Sequence, residues 1–317
     1  MTTAGTLPPV VAVVGPTAAG KSELSLDLAE RLGGEIVNTD SMQVYRGMDI
    51  GTAKLPVAER RGIRHHLLDR LDVTEPATVA EFQRWAREAV DDCRRRGVTP
   101  VLVGGSALYT RAVLDRFEFP GTDPVVRDRL EGELADVGPE ALHRRLAQVD
   151  PVAAEQIIPS NGRRVVRALE VVEITGRPFS ATLPEMRYFY EDTHQVGVDI
   201  PRPVLDERIA QRVERMWRAG FVEEVRRLAA AGLRDGRTAS RALGYQQVLA
   251  FLAGELTEAE AKEQTVVGTR RFARRQDSWF RKDPRITWVA WDDPDRVAKA
   301  VAVVRAGTRH AVADPNV

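Results

Sequence analysis

The sequence has 317 residues, enough for two domains or for one large domain with an insertion. Hydrophobic residues make up 43% and charged residues 29%, values that exclude a disordered chain, a collagen and a small disulfide-stabilised protein. The 46 basic side chains balance 46 acidic ones, and this zero net charge, taken alone, argues against a nucleic-acid partner.

The composition also sets expectations about the cellular compartment. No apolar run approaches the ~18 residues that a membrane span requires. Residues 1–9 lack the basic and apolar regions of a secretory signal. Cys93 is the only cysteine, which excludes an intramolecular disulfide. We therefore expect a cytoplasmic protein that does not associate with membranes.

The first predicted elements alternate between strand and helix. Residues 7–14 form a valine-rich run typical of a buried strand, and a glycine-containing segment separates this run from a helical pattern at 23–32. Such alternation favours a parallel sheet covered by helices. The pattern continues with a strand at 35–40, a helix at 79–96 and a strand at 100–103.

The middle of the chain has a different pattern. Residues 120–193 predict several helices and no strand, whereas strand-like character returns at 195–200. Long amphipathic helices follow at 205–231 and 258–280. We therefore expect an α/β core interrupted by an all-helical domain. The expected boundaries are 8–119 and 194–306 for the core, 120–193 for the insertion and 307–317 for a flexible tail.

The segment between the first strand and the first helix matches the phosphate-loop pattern G-x-x-x-x-G-K-[ST] in full. Backbone N–H groups of such a loop surround phosphate oxygens, and the following helix adds the positive end of its dipole. The motif predicts a P-loop NTPase-like sheet and a bound di- or triphosphate such as ATP, and leaves open a kinase, an ATPase and a transferase that releases pyrophosphate. The predicted diphosphate-binding residues are Gly15, Pro16, Thr17, Ala18, Ala19, Gly20, Lys21 and Ser22, with Ser22 also a ligand for Mg²⁺.

A carboxylate stands where the second predicted strand ends. Ligand sites of open parallel sheets lie at this edge, so Asp40 can accept a proton from a nucleophile that is aligned on a phosphate ester. Ser41 and Gln43 can read the hydrogen-bonding edge of a substrate. The alternative is that Asp40 only caps a turn.

Six sequence blocks together resemble the tRNA dimethylallyltransferases, also called tRNA isopentenyltransferases. The blocks occur in order from Gly15 to Arg281, over nearly the whole chain. They read GPTAAGKS from residue 15, DSMQVYRGMDIGTAK from 40, HHLLD from 65, VLVGGSALY from 101, RRVVRALE from 163 and RRFARRQDSWFR from 270.

The resemblance implies a reaction and a set of partners. Members of this family transfer a dimethylallyl group from dimethylallyl diphosphate to the exocyclic amine of the tRNA adenosine that follows the anticodon on its 3′ side, giving isopentenyladenosine. The phosphate loop then holds the diphosphate of the donor rather than ATP, with Mg²⁺ as cofactor. The expected partner is the anticodon stem-loop of tRNA, and a monomer is expected.

The same resemblance implies roles for individual residues. Asp40 becomes the general base. Arg208 and Arg212 share one face of a predicted helix, and at least one of them reaches the diphosphate, with Arg212 the expected catalytic residue; the alternative is that both are solvated. In the block that contains Ser106, Ala107 replaces a glycine that is common in the family. The implied tRNA-binding residues are Asp40, Ser41, Met42, Gln43, Ser106, Arg127, Asn161, Gly162, Arg163, Arg164 and Val165.

Other readings remain open at this point. An adenylate isopentenyltransferase, a P-loop small-molecule kinase and an RNA-binding protein without catalysis all fit the phosphate loop. The helical insertion favours tRNA over a mononucleotide. His65 and His66 are expected to be structural, and Trp279 to pack in the core, with stacking on a base as the alternative. Residues 264–285 carry seven Arg or Lys and two Asp, so that a basic segment offsets the neutral total and RNA is not excluded.

Overall fold

A computed structural model of the protein describes residues 7–117, 119–182 and 186–312. Its centre is a six-stranded sheet in the order β3-β2-β4-β1-β5-β6, and every neighbouring pair is parallel. The predicted parallel α/β sheet is thus confirmed. The strands are β1 (Val10–Val14), β2 (Gly34–Asn38), β3 (His65–His66), β4 (Thr99–Val103), β5 (Thr193–Asp199) and β6 (Ile286–Ala290).

The central strand β1 is covered on both faces. All five of its residues are fully buried, and Val11 pairs with Val101 on β4 while Ala12 pairs with Gln195 on β5. Successive side chains of a strand point to opposite faces. Val10, Ala12 and Val14 accordingly belong to one hydrophobic cluster, and Val11 and Val13 to another. This two-sided burial explains why the sequence of β1 is continuously apolar.

Helices cover the sheet and build the inserted unit. Phe82, Phe221 and Tyr245 are among the largest side chains on one face of the sheet, and Leu24, Leu28 and Ile209 pack on the other. The helices among the described residues are α1 (Lys21–Leu32), α2 (Val79–Arg95), α3 (Ala107–Leu114), α4 (Pro124–Val149), α5 (Pro151–Gln156), α6 (Gly162–Thr175), α7 (Arg202–Arg218), α8 (Phe221–Ala230), α9 (Tyr245–Leu252), α10 (Glu258–Phe280) and α11 (Arg296–Val312). Within the described ranges, none of them has both the length and the apolar character needed to cross a bilayer.

One helix prediction and the expected start of the tail differ from the structure. The helix expected at 205–231 is two helices, because Gly220 adopts φ 91° between α7 and α8, a left-handed conformation that ends a helix. The flexible tail expected at 307–317 begins inside α11, which continues to Val312. Residues 313–317 lie outside the described residues.

The chain divides into two compact units. One contains the sheet, with the chain up to Leu114 and from Tyr188, and the other is Asp115–Arg187. The second unit therefore ends earlier than the expected range 120–193. The segment that precedes β5 belongs with the sheet, since the Phe189 N–H donates to the Leu114 carbonyl at 2.7 Å and the Val10 N–H donates to the Asp192 carbonyl at 2.8 Å.

The Asp115–Arg187 unit has its own hydrophobic core and a buried charge. Leu130, Leu146 and Val166 pack between α4, α5 and α6. The carboxylate of Glu170 is fully buried on α6 and forms ion pairs with Arg127 and Arg167. These two guanidinium groups lower the pKa of Glu170 against the effect of its burial, so the carboxylate stays charged inside the unit.

The only cysteine is part of a buried polar group beside β2 and β3. The Cys93 thiol lies 3.5 Å from a Glu35 oxygen and 3.6 Å from His66 Nε2. Arg96 binds both Glu35 oxygens, at 2.8 and 2.6 Å, and this bonding lowers the pKa of Glu35 to about 2. Burial and the charge of Glu35 raise the pKa of Cys93 to about 12, which keeps the thiol protonated. The structural role expected for His66 agrees with this arrangement.

Candidate active site

The phosphate loop leaves β1 and ends in α1 as the motif requires. Gly20 is the N-cap of α1 in a left-handed conformation, φ 102°, and has no side chain with which to cap the helix. The first backbone bond of the helix runs from the Leu24 N–H to the Gly20 carbonyl. The N–H groups of Lys21, Ser22 and Glu23 therefore precede the helical bonding pattern and are available to an anion. Not every N–H of the loop is available, since Thr17 donates to Gln276 Oε1 at 2.9 Å.

Lys21 lies in a partly buried cluster of charges. Its ammonium donates to the Pro16 carbonyl at 2.7 Å. Burial and the neighbouring Arg212 lower the pKa of Lys21 to about 7, although Asp40 acts in the opposite direction. Burial also lowers the pKa of Arg212, again opposed by Asp40. Two partly buried cations thus lie near one carboxylate, and a bound anion would stabilise both of them.

At a pH above the pKa of Lys21, we expect the binding of inorganic pyrophosphate to be accompanied by protonation of Lys21. A bound anion raises the pKa of Lys21 from about 7, so the complex holds more protons than the free protein. Affinity should then fall by up to about tenfold per pH unit as the pH rises above that value. Calorimetric titration at about pH 8 in buffers of different ionisation enthalpy measures the uptake. Equal uptake by Lys21→Met would contradict this assignment.

A cleft of about 700 Å³ opens beside the phosphate loop. Arg208 and Arg212 both line it from α7, as the expectation of a shared helical face required. Arg215, on the next turn, also lines the cleft and was not predicted. The cleft has an apolar part as well, formed by Leu26, Ile50, Ala53, Leu55 and Met216.

Asp40 lies two residues beyond the end of β2 in a tightly bonded turn. Its backbone N–H and carbonyl both bond to the side chain of Asn38, each at 2.9 Å. Its Oδ1 atom accepts from the Met42 N–H at 2.8 Å. Oδ1 therefore caps the turn, as the alternative interpretation of Asp40 predicted. Oδ2 has no hydrogen-bond partner among the described residues. One carboxylate oxygen thus holds the turn, and the other is not bonded within the described part of the chain.

The segment after Asp40 is connected to the cation cluster. Gln43 Nε2 and Arg212 Nη2 both donate to the Thr52 carbonyl, each at 3.2 Å. Ser106, also expected near the substrate, stands at the start of α3, where its carbonyl accepts from the Thr110 N–H at 2.9 Å. The structure thus joins Gln43, from the predicted tRNA-binding set, to Arg212, from the predicted catalytic set.

The loop that lines the cleft is anchored by a residue that the sequence analysis missed. Glu224 is buried on α8, and its carboxylate accepts from the N–H groups of Asp49, Ile50 and Gly51 at 3.2, 2.7 and 3.2 Å. It also accepts from the Tyr245 hydroxyl at 2.6 Å. The sequence could have indicated this role, because Glu224 lies between the apolar residues of an amphipathic helix. An acidic side chain is buried at such a position only if hydrogen bonds or ion pairs compensate its charge.

A second buried charge supports the same loop. The Lys54 ammonium donates to the Tyr45 carbonyl at 2.8 Å and forms ion pairs with Asp49 and Asp69 at 2.7 and 2.6 Å. Lys54 is only 7% exposed, so these three oxygens replace its hydration. Asp49 therefore has a structural partner in this loop.

We expect Glu224→Gln to destabilise the protein by about 3 kcal/mol, the upper range for hydrogen bonds to a charged group. An amide in this place presents an NH₂ group to N–H donors that need an acceptor. Urea unfolding measures the difference. The matched control is Glu223→Gln on the same helix, where the side chain is 61% exposed and a change within about 0.5 kcal/mol is expected. Equal effects of the two substitutions would show that the buried carboxylate does not anchor the loop.

In the Asp115–Arg187 unit, the predicted tRNA contacts have different surroundings. Asn161 caps α6 by accepting from the Arg164 N–H at 3.3 Å. Asn161, Arg163 and Arg164 are exposed, and Gly162 is partly buried against Leu134. Val165 is fully buried in the core of the unit, so its side chain is not available for the predicted contact.

Arg127 also has a structural partner. Its guanidinium is held by the buried Glu170, and 31% of its side chain remains exposed. Glu170 needs this cation to remain charged in the core, so the ion pair accounts for an arginine at this position without RNA.

The C-terminal part of α10 presents aromatic and basic side chains to solvent. The expectation that Trp279 packs in the core is wrong, since Trp279 is 53% exposed, with the Lys282 ammonium 5.5 Å from its ring. The buried positions of this part of the helix are Ala273, Gln276 and Phe280. Trp279 instead shares a helical stripe with Phe272, seven residues earlier, which is also exposed.

The fold defines a P-loop-like α/β protein, in which the phosphate-loop motif lines a cleft beside the cations that Asp40 influences. The family model described as IPP transferase matches residues 43–283, and this chain belongs to that family. A tRNA dimethylallyltransferase of a Nocardioides species is 70% identical over 298 residues, covering 94% of this chain and 96% of the relative. That of Streptomyces coelicolor is 65% identical over 296 residues, covering 93% and 95%.

Solved structures give the same assignment. The full-length tRNA isopentenylpyrophosphate transferase from Bacillus halodurans superposes with a TM-score of 0.70 at 37% identity, covering 96% of this chain and 99% of that chain. A eukaryotic dimethylallyltransferase acting on tRNA superposes with a TM-score of 0.81 at 27% identity, covering 96% and 80%. The resemblance read from the sequence blocks is thus confirmed.

Proposed function

We propose that this protein transfers a dimethylallyl group from dimethylallyl diphosphate to the exocyclic amine of the adenosine that follows the anticodon in tRNA, giving isopentenyladenosine and diphosphate. The observation that carries the proposal is that a phosphate loop and two partly buried cations, Lys21 and Arg212, line one cleft, and that the charge of Asp40 acts on both cations. The names of the relatives favour tRNA as the acceptor over AMP.

The donor side of the cleft fits an allylic diphosphate. As the bond between the allylic carbon and oxygen breaks, negative charge grows on the leaving diphosphate. Lys21, Arg212 and the free N–H groups at the start of α1 neutralise this charge. Leu26, Ile50 and Met216 give the prenyl chain an apolar surface that excludes water from the developing cation.

Mg²⁺ fits the donor set at this position. Ser22 offers a hydroxyl oxygen at the cleft, and the carboxylates of Glu23 and Asp49 also line it. Hard oxygen donors together with substrate phosphates are what Mg²⁺ prefers. When bound through Ser22, the ion would neutralise part of the charge on the diphosphate.

The acceptor side depends on Asp40. An adenine amine is a weak nucleophile, and it loses a proton as the new bond from nitrogen to carbon forms. Oδ2 of Asp40 takes that proton, while Oδ1 keeps the turn in place through the Met42 N–H. The adenine has to leave the anticodon-loop stack to reach the cleft, and Ser41, Met42 and Gln43 would line its path.

The proposed contacts with the anticodon stem-loop come from residues that are exposed in each unit. In the Asp115–Arg187 unit the proposed contacts are made by Asn161, Arg163 and Arg164. On α10 they are made by the exposed arginines at 271, 274 and 275. Their side chains suit the phosphates of a folded RNA. A monomeric cytoplasmic enzyme is part of the same proposal.

The test is a transfer assay with labelled dimethylallyl diphosphate and either unmodified tRNA or AMP as the acceptor. We expect label in tRNA, on the adenosine next to the anticodon, and none in AMP. Label in AMP alone would indicate an adenylate isopentenyltransferase. Phosphate transfer from ATP without prenyl transfer would indicate a kinase, and RNA binding without either reaction would indicate a binding protein.

A further inference from the structure

The buried face of α10 carries an amide to which the proposed chemistry gives no role. Gln276 is 7% exposed, and both ends of its carboxamide are bonded to main chain. Oε1 accepts from the Thr17 N–H at 2.9 Å, and Nε2 donates to the Gly105 carbonyl at 2.7 Å. A buried side chain that joins the backbones of two distant segments fixes the distance between them.

The two segments are the phosphate loop and a loop that packs against the residue before Asp40. Thr17 belongs to the phosphate loop after β1, and Gly105 to the loop after β4, the strand that pairs with β1. The loop after β4 is also packed against the segment of the base. A Cβ atom on Gly104 would lie 2.2 Å from Thr39 Oγ1, and the Thr39 N–H donates to the Val103 carbonyl at 2.8 Å. Asp40 follows Thr39 directly.

The arrangement leaves little freedom at position 276. A Cβ atom on Gly105 would lie 2.3 Å from Gln276 Nε2, so the amide sits directly against a glycine backbone. The Thr17 N–H can only donate and the Gly105 carbonyl can only accept. A group at position 276 must therefore offer one acceptor and one donor, which an amide does and an ionised carboxylate does not.

We propose that Gln276 is a positioning residue that holds the phosphate loop at a fixed distance from the loop after β4, and thereby from Asp40. The donor diphosphate and the base would then keep the separation that attack by the adenine amine requires. This inference rests on the proposed function. Gln276 would act by holding the two loops in place for the transfer and would not contact either substrate.

The test uses the pH dependence of Gln276→Glu. An ionised glutamate faces the Gly105 carbonyl with no proton to donate, whereas a protonated one offers both an acceptor and a donor. We expect kcat for tRNA to fall by up to about 10²-fold at about pH 9, and the ratio of variant to wild-type kcat to rise as the pH is lowered towards about 6. Gln276→Met, which has no titratable group, should lose activity with a ratio that does not change with pH.

The matched control is Gln264→Glu, the same substitution at an exposed position of α10, which should leave kcat unchanged at every pH. Pyrophosphate affinity and the thermal unfolding midpoint of each variant separate misfolding from mispositioning. If Gln276→Glu does not fold, Gly105→Ala replaces it, because its Cβ displaces the same amide, and a loss of kcat without loss of pyrophosphate affinity is expected.

Two outcomes would overturn the inference. The first is an unchanged kcat in Gln276→Glu or, if that variant does not fold, in Gly105→Ala. The second is a ratio to wild type for Gln276→Glu that is constant with pH. Failure of the proposed function is distinguishable, because the wild-type protein would then give no label in tRNA. If the wild-type protein labels tRNA and the kcat of Gln276→Glu has the same pH profile as that of the wild type, the proposed function stands and only the positioning role of Gln276 is refuted.

Discussion

Replacing Asp40 with asparagine is expected to lower kcat for tRNA by at least about 10²-fold, the scale of a general base. Asparagine keeps Oδ1, so the bond from the Met42 N–H and the turn are preserved. It puts an NH₂ group in place of Oδ2 and cannot take the proton of the adenine amine. Single-turnover transfer with labelled dimethylallyl diphosphate measures the effect.

The experiment needs attention to pH and a matched control. The charge of Asp40 raises the pKa of Lys21, and its loss lowers that pKa further. Donor binding should therefore be compared below the wild-type Lys21 pKa of about 7, where the ammonium of Lys21 is more fully charged. Asp72→Asn, at a 65% exposed site paired with Arg46, is the control and should retain full turnover. Turnover of Asp40→Asn within about threefold of wild type would rule out this base.

Replacing Lys21 with methionine is expected to lower kcat by about 10²–10³-fold, the cost of removing one preorganised group at a developing anion. Lys21 lies in a partly buried site where a charge acts more strongly than in water. Methionine has a similar length and no charge, so it keeps much of the packing. Steady-state kinetics with saturating tRNA and varied dimethylallyl diphosphate give kcat and KM separately.

The division between the two constants decides the role of Lys21. A rise of KM with unchanged kcat would mean that Lys21 only binds the donor and does not stabilise the leaving group. The control is Lys262→Met, on α10, where the ammonium pairs with Glu214 and 33% of the side chain is exposed. That substitution should change neither constant.

The parts of the site that follow from local sequence could be predicted. The phosphate loop is one continuous motif between a strand and a helix, and Asp40 follows the next strand, so that sheet topology alone brings them to one edge. Arg208 and Arg212 were predicted to share a face because four residues separate them on a helix. Each of these inferences needs only a short segment and a known period.

The supports of the site could not be predicted in the same way. Glu224 binds N–H groups some 170 residues earlier in the chain, and Gln276 joins Thr17 to Gly105. Their side-chain types are common on helices, and only the tertiary packing buries them. For Trp279 the sequence prediction was wrong in the other direction. Its apolar side chain indicated a core position, but its place on the helix leaves it exposed to solvent.

The buried cysteine gives the protein a built-in probe of its own opening. A pKa of about 12 makes the reactive thiolate of Cys93 about a thousandfold scarcer than that of an ordinary thiol, and the side chain has no exposed surface. Alkylation of the native protein therefore has to wait until α2 separates from β2 and β3. Since Cys93 is the only cysteine, the rate of labelling reports how often this edge of the sheet opens, without any engineered label.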